Sequence, residues 1–229
     1  MRLPTIVDKP LPRIGSPILE DSKRIQVFVA WTKPITEGER RAVVGGVQDV
    51  LDMTGYDSTI TLHGTRSFGK GNADWYQQLA LTNSVRDLGY GPQVQSGPPV
   101  WGPYNETSRY SQKHLVVVII DHDMTTGLLN FTLGAADVGC GFVVSVARFR
   151  EITNTVLRFS VMKRLARHEL GHVFDIPFRK RVFGDHCGNQ PCGMNWCTGV
   201  DHFIREEKDG VTFCQQCVGD LENIPRVKD

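Results

Sequence analysis

One short pattern near the middle of the C-terminal half of the chain has the residue types and spacing for metal chemistry. It reads His168-Glu169-Leu170-Gly171-His172. Side chains four residues apart on a helix project from one side about one turn apart, so both imidazoles can reach a single zinc ion. The adjacent glutamate can then act on water held by the metal. The pattern indicates a zinc peptidase. The alternative is a helix with two core-facing histidines and a surface glutamate.

The cysteines form a second metal-binding pattern. Five of the six lie in the last 45 residues, and four of these form the pairs Cys187/Cys192 and Cys214/Cys217. Two closely spaced pairs predict a tetrahedral structural zinc site that is closed to water and orders the chain around it. Reduced cysteines without a metal are the alternative.

Composition limits the class of protein. The chain has 229 residues, 40% of them hydrophobic, and a formal net charge of +1. It can therefore bury a core, and its balanced charge does not indicate a nucleic-acid or membrane partner. No apolar stretch approaches the roughly 18 residues of a membrane helix, and the first 20 residues contain no signal-peptide core. We expect a cytoplasmic monomer whose partner is a peptide or protein substrate.

Strands alternate with helices along residues 23 to 176, which predicts an α/β layered fold. An unbroken β-branched run at 114–121 predicts a central strand covered on both faces. The Gly- and Pro-rich segment 89–113 is interpreted as a loop, with a functional flap preferred. Other strands are predicted at 24–31, 58–62, 130–136 and 142–149, and helices at 36–55, 73–88 and 154–175. Thr36 and Glu39 form a capping box at the start of the first of these helices, Gly55 ends it, and Asn154 is the predicted N-cap of the last.

Three regions are predicted from this order. Residues 1–22 form an extended arm. Residues 23–176 form an α/β subdomain with the edge strand and the zinc helix. Residues 177–229 form a small C-terminal subdomain with the cysteine zinc site.

Residues 114 to 220 resemble the archaemetzincins, a branch of the metzincin zinc peptidases. The family pattern begins with His-Glu-x-x-His-x-x-Gly-x-x-His-Cys, continues after four residues with Cys-x-Met, and ends with Cys-x-x-Cys. This chain matches parts of it at His168 to His172, His186-Cys187, Cys192-Gly193-Met194 and Cys214 to Cys217. Segments 129–136 and 143–149 also look like the family's sheet sequence. The resemblance implies a metzincin-like fold, with a mixed twisted sheet, helices that include the zinc helix, and a cysteine-zinc lobe.

The resemblance also implies roles for individual residues. There would be two zinc ions per chain, one catalytic and one structural. Glu169 would be the general base toward a zinc-activated water in peptide-bond hydrolysis, and Met194 would form the Met-turn, an apolar floor under the histidines. The catalytic zinc ligands would be His168, His172 and His186, and the structural zinc ligands Cys187, Cys192, Cys214 and Cys217. The edge strand that pairs with substrate would comprise Asn130, Phe131, Thr132, Leu133, Gly134 and Ala135.

The chain departs from the family pattern between the second and third histidines. Thirteen residues separate His172 from His186, eight more than in the family, and Asp175 replaces the family glycine. Three interpretations are open. His186 completes the catalytic site; or that zinc site is weak or absent, and the protein is a zinc-stabilised peptide-binding module; or Glu206 or Glu207 is the third ligand. Asp175 is interpreted as an ordinary helix-end residue in preference to a support for a ligand imidazole.

Overall fold

The computed structural model describes residues 24–82, 92–107, 114–126, 131–179, 181–182, 184–208, 210 and 212–224. The predicted arm at 1–22 lies outside these residues. Among the helices in the described part of the chain, none is long and apolar enough to cross a membrane.

A five-stranded mixed sheet forms the centre of the fold, as predicted. Its strand order is β2-β1-β4-β7-β6, with all neighbours parallel except β6, which is antiparallel to β7. Two small two-stranded sheets pair β3 with β5 and β8 with β9. The strands are β1 Arg24–Trp31, β2 Asp57–Gly64, β3 Val94–Gln95, β4 His114–Ile120, β5 Met124–Thr125, β6 Gly134–Asp137, β7 Gly141–Ser145, β8 Arg181–Val182 and β9 His186–Cys187.

Helices cover both faces of this sheet. Every residue of β4 is buried, and its side chains alternate between two hydrophobic clusters, one shared with α1 and α4 and the other with α2 and α3. This alternation confirms β4 as the central strand predicted from its β-branched run. The helices are α1 Glu37–Thr54, α2 Ala73–Thr82, α3 Gly97–Thr107, α4 Thr155–Val173, α5 Val200–Lys208 and α6 Gln215–Glu222.

The close approach of α1 to α4 depends on Gly46. A Cβ atom at Gly46 would lie 2.4 Å from the main-chain oxygen of Lys163 and 2.8 Å from the Cβ of Ala166. Helix α4, which is the predicted zinc helix, therefore packs directly against the backbone of α1. A Cβ at the neighbouring Gly45 would meet only the flexible end of the Lys163 side chain, at 3.4 Å.

These two glycines provide a matched pair of substitutions. Gly46→Ala is expected to lower the free energy of unfolding by about 1–3 kcal/mol, because the added methyl group forces two backbones apart. Gly45→Ala is expected to be neutral or to stabilise by up to about 1 kcal/mol, because alanine favours a helix more than glycine does. Urea unfolding measures both. Equal effects would show that α1 and α4 are not in backbone contact.

The loop predicted for 89–113 is wrong where the structure describes it. Helix α3 and strand β3 lie within this segment, while residues 89–91 and 108–113 are outside the described residues. Pro98 and Pro99 occupy the first turn of α3, where a missing N–H group does not cost a helical hydrogen bond. The glycine and proline content of this segment therefore predicted a longer loop than its described residues form.

Two predicted strands have different bounds in the structure. β7 ends at Ser145, because its partner β4 ends opposite it, and a 3₁₀ turn follows at Arg148–Glu151. The predicted edge strand 130–136 is corrected to β6. Asn130 is outside the described residues, and Thr132 makes an isolated bridge to Met124.

The C-terminal segment shares the main core with the rest of the chain. Four of its apolar side chains lie in the same buried cluster as α1 and α4: Phe203, Phe213, Leu221 and Ile224. The boundary at residue 177 stays a prediction.

Candidate functional site

Helix α4 places His168 and His172 one turn apart. Its start is set by Asn154, whose side chain accepts a hydrogen bond from the main-chain nitrogen of Leu157, as predicted for an N-cap. His186 approaches from strand β9, and one ring nitrogen from each of the three histidines lies within 4.8 Å of the others. The structure thus brings together the three histidines that the sequence comparison implied.

The geometry of these histidines fits one tetrahedral metal ion. The Nε2 atoms of His168 and His172 are 3.1 Å apart. Two nitrogens that share a tetrahedral zinc at about 2.0–2.1 Å are about 3.3–3.4 Å from each other. The Nδ1 of His168 lies 2.7 Å from the carbonyl oxygen of Gly193 and must donate to it, which leaves the Nε2 lone pair free for a metal.

Both helix histidines are held in the neutral form. Burial, with help from His186 and Arg181, lowers the pKa of His172 to about 3. Burial likewise lowers the pKa of His168 well below its usual value. Neutral imidazole is the form that binds a metal, so both side chains are ready as ligands at neutral pH.

Glu169 lies between the histidines and the outer strand of the sheet. Its side chain is buried, and burial raises the pKa of its carboxyl group to about 8. A Cβ at Gly134 of β6 would be 2.3 Å from the Oε1 of Glu169. Glycine at this position therefore lets the edge strand approach the carboxylate directly.

Met194 lies under the zinc helix. It is fully buried, and a Cβ at Gly171 would be 2.2 Å from its sulfur atom, so glycine between the two helix histidines makes room for the thioether. The Met194 carbonyl accepts a hydrogen bond from the main-chain nitrogen of Cys187 at 2.7 Å. The segment around Met194 therefore links the histidine cluster to the cysteine cluster.

The four paired cysteines form a second cluster with zinc-like geometry. The Sγ atoms of Cys187 and Cys214 are 3.8 Å apart, and those of Cys192 and Cys217 are 3.6 Å apart. Two sulfurs bound to one tetrahedral zinc at about 2.3 Å lie about 3.8 Å from each other, whereas a disulfide brings them to about 2.05 Å. These separations fit a metal site and exclude disulfides in this structure.

Two of the four cysteine sulfurs accept hydrogen bonds from main-chain nitrogens. Main-chain nitrogens of Asn189 and Cys214 donate to the sulfurs of Cys187 and Cys192, each at 3.4 Å. The hydrogen bond from Cys217 lowers the pKa of Cys192 to about 5, while burial raises the pKa of Cys187 to about 11. A cation is the group that would let all four ionise together.

The histidines and Glu169 line an open cleft of about 650 Å³ between β6 and the C-terminal segment. A second cavity of about 820 Å³ adjoins it, and both are lined by Phe131, Thr198 and Gly199. Leu133, Gly134 and Ala135 also line the cleft. The predicted substrate-edge residues that the structure describes thus all border it.

Glu206 belongs to a different side-chain group from the three histidines. It lies 2.9 Å from the guanidinium of Arg164, which is 1% exposed, and also contacts Cys197 and His202. This buried network was not predicted, although the i,i+4 spacing of His202 and Glu206 is present in the sequence. In this structure the third member of the histidine cluster is His186, and Glu206 neutralises a buried arginine.

No protein-family model matches this sequence, and no curated protein matches it significantly. Three solved structures are similar. An archaemetzincin from Methanopyrus kandleri has a TM-score of 0.62 at 18% identity, over 93% of this chain and 98% of that one. An archaemetzincin from Archaeoglobus fulgidus, complexed with malonate, has 0.55 at 15%, over 85% and 98%. A zinc-dependent peptidase from Methanocorpusculum labreanum has 0.52 at 16%, over 86% and 100%. The chain therefore has the fold of the archaemetzincins.

Proposed function

We propose that this protein is a zinc metallopeptidase of the archaemetzincin type. The observation that supports this most directly is the cluster of His168, His172 and His186 beside the buried Glu169 in an open cleft. The archaemetzincin and zinc-dependent peptidase structures with the same fold support it further.

The histidines would hold the catalytic zinc, which would supply a Lewis acid that activates water and polarises the scissile carbonyl. Glu169 would take a proton from the attacking water and pass it to the leaving amine. Gly193 orients His168 through its carbonyl oxygen. Met194 would serve as the Met-turn, with its side chain packed against Gly171 of the zinc helix.

A second, structural zinc is proposed for Cys187, Cys192, Cys214 and Cys217. Four thiolates leave no open coordination position, so this ion would have no part in the reaction. It would tie β9, which provides His186, to the start of α6, which provides Cys217. The total is two zinc ions per chain.

The substrate is proposed to be an extended peptide segment. β6 is the outer strand of the sheet, so one of its edges has no neighbour among the described strands and can pair with a peptide by main-chain hydrogen bonds. The adjoining cavity offers space for a peptide that extends beyond the proposed catalytic residues. We propose that the protein acts as a cytoplasmic monomer with neither a nucleic-acid nor a membrane partner.

Zinc content and peptide hydrolysis test the assignment of His186. His186→Ala is expected to reduce bound zinc from two ions per chain to one and to abolish hydrolysis of a mixed peptide library. His63→Ala is the control, because His63 lies in β2, at the opposite edge of the sheet from the cleft, where its ring stacks on Phe68. It should keep both zinc ions and full activity.

Two other results would contradict this proposal in different ways. A His186→Ala protein that keeps two zinc ions and its activity would exclude His186 and favour an acidic ligand. A wild-type protein that binds two zinc ions, cleaves no peptide and still binds peptides would instead be a peptide-binding module.

A further inference from the structure

The segment between the second and third histidines is closed by one side chain, Arg181. Its Nε donates to the carbonyl oxygen of Pro177 at 2.5 Å. One terminal nitrogen, Nη2, donates to both the main-chain and the side-chain oxygen of Asp175, at 2.5 and 2.8 Å. The other, Nη1, donates to the carboxylate of Asp185 at 2.7 Å. One guanidinium therefore joins the beginning of the segment to its end.

The two ends joined in this way belong to the proposed zinc site. Asp175 lies two residues after Val173, the last residue of α4, and has a left-handed backbone, with φ of 59°. Its main-chain nitrogen donates to the carbonyl oxygen of His172 at 2.9 Å. Asp185 directly precedes His186. The bridge formed by Arg181 thus fixes the distance between the zinc helix and the third histidine.

Two other hydrogen bonds of the described segment hold its middle to α6: the main-chain nitrogen of Phe178 donates to Asp220 at 2.9 Å, and the side chain of Gln216 donates to the carbonyl oxygen of Arg179 at 2.6 Å. Neither of these joins Asp175 to Asp185. β8 and β9 form a ladder of only two residue pairs, Arg181 opposite Cys187 and Val182 opposite His186. Even a complete isolated hairpin is at best marginally stable in water. Thirteen residues also leave the third ligand more freedom than a short tether, because the entropy of loop closure grows with length.

The chemistry of arginine suits this role. Its planar fork can donate to several acceptors in fixed directions, and lysine offers only a point charge on a flexible stem. Arg181 is partly buried, with 21% of its side chain exposed, and it lies between two carboxylates that balance its charge. These hydrogen bonds are charge-assisted and hence stronger than those between neutral groups.

From these contacts we propose that Arg181 is the positioning residue for His186. It brings the third ligand to the zinc helix across the thirteen residues that separate His172 from His186. The inference rests on the three-histidine zinc site of the proposed function, and extends it to a residue outside the ligand set. Asp175 accordingly contributes by accepting hydrogen bonds from Arg181. This role differs from both of the roles that were considered for Asp175 from the sequence.

Zinc affinity measured separately at the two sites tests this inference. The zinc-loaded full chain is titrated with a competing chelator, and the ions lost from the histidine and cysteine sites are counted. Arg181→Ala is expected to weaken zinc binding at the histidine site by about 10–100-fold, the usual effect of removing a group that supports a metal ligand. The cysteine site should be unchanged. Arg179→Ala, in the same segment with an exposed side chain, is the matched control and should behave as wild type.

Three outcomes would overturn the inference. The first is an Arg181→Ala protein with wild-type affinity at the histidine site. The second is equal weakening at both sites, which would mean that the substitution disturbs the whole C-terminal segment. The third is full recovery in Arg181→Lys, because charge alone would then suffice. A wild-type chain that binds both ions but cleaves no peptide would contradict the proposed function while leaving this measurement valid.

Discussion

Replacing Glu169 by glutamine is expected to reduce the turnover number for peptide hydrolysis at least about 100-fold, the usual contribution of a general base. The amide is close in size to the carboxyl group, so it can occupy the same space against Gly134, but it cannot accept a proton from water. The substitution leaves the three histidines and the four cysteines unchanged, so both zinc ions should remain. The measurements are steady-state kinetics on a cleaved peptide and zinc content per chain.

Two further variants sharpen this prediction. Glu37→Gln is the control, because Glu37 is exposed at the start of α1 and lines neither the cleft nor the adjoining cavity. It should leave the turnover number within about twofold of wild type, as expected for a surface change that removes no buried interaction. Glu169→Asp retains a carboxylate but draws it back by one methylene group, and should also be slow. Unchanged turnover in Glu169→Gln would remove this residue from the mechanism.

The second large effect is expected at the cysteine cluster. Cys217→Ser should remove the structural zinc and lower the free energy of unfolding by at least about 3 kcal/mol, a fraction of the roughly 10–16 kcal/mol that zinc contributes to small zinc-binding peptides. Cys217 is fully buried among the other sulfurs, so no nearby water could replace its thiolate. Zinc content and chemical unfolding measure the two effects.

Loss of the structural zinc should also weaken the catalytic site. Cys187 directly follows His186, and its nitrogen is bonded to the carbonyl oxygen of Met194. Disorder at the cysteines therefore reaches both the third histidine and the floor under the ligands. Cys140→Ser, at a cysteine outside the cluster, is the control and should retain both zinc ions. A Cys217→Ser protein with two zinc ions and wild-type stability would show that these cysteines do not bind a metal.

Features that depend on neighbours along the chain were predicted correctly. The capping box between Thr36 and Glu39 starts α1, and Gly55 ends it with a φ of 67°. The β-branched run became the buried central strand, and Asn154 became the cap of the zinc helix. Each of these results from local hydrogen bonding or from a side-chain period of two or 3.6 residues, which can be seen in a short window of sequence.

Errors arose where pairing partners decide the structure. The Gly- and Pro-rich segment contains α3, because its first two prolines occupy positions that tolerate them. The edge strand begins at Gly134 instead of residue 130, because its ladder with β7 begins opposite Val144. A strand's ends depend on the length of its neighbour, and the neighbour is distant in sequence.

The order of the candidate metal-binding residues could be recognised in the sequence: two histidines on one helix face, a glutamate between them, and two cysteine pairs. The sequence did not show whether His186 lies close to His168 and His172 despite the thirteen intervening residues. Its position depends on the contacts of Arg181 with Asp175 and Asp185, which form only in the folded chain. Contacts of Gly134 with Glu169, and of Gly171 with Met194, also exist only after folding. Spacing along a helix is set by covalent geometry, whereas the approach of separate segments is set by packing and by hydrogen bonds between them.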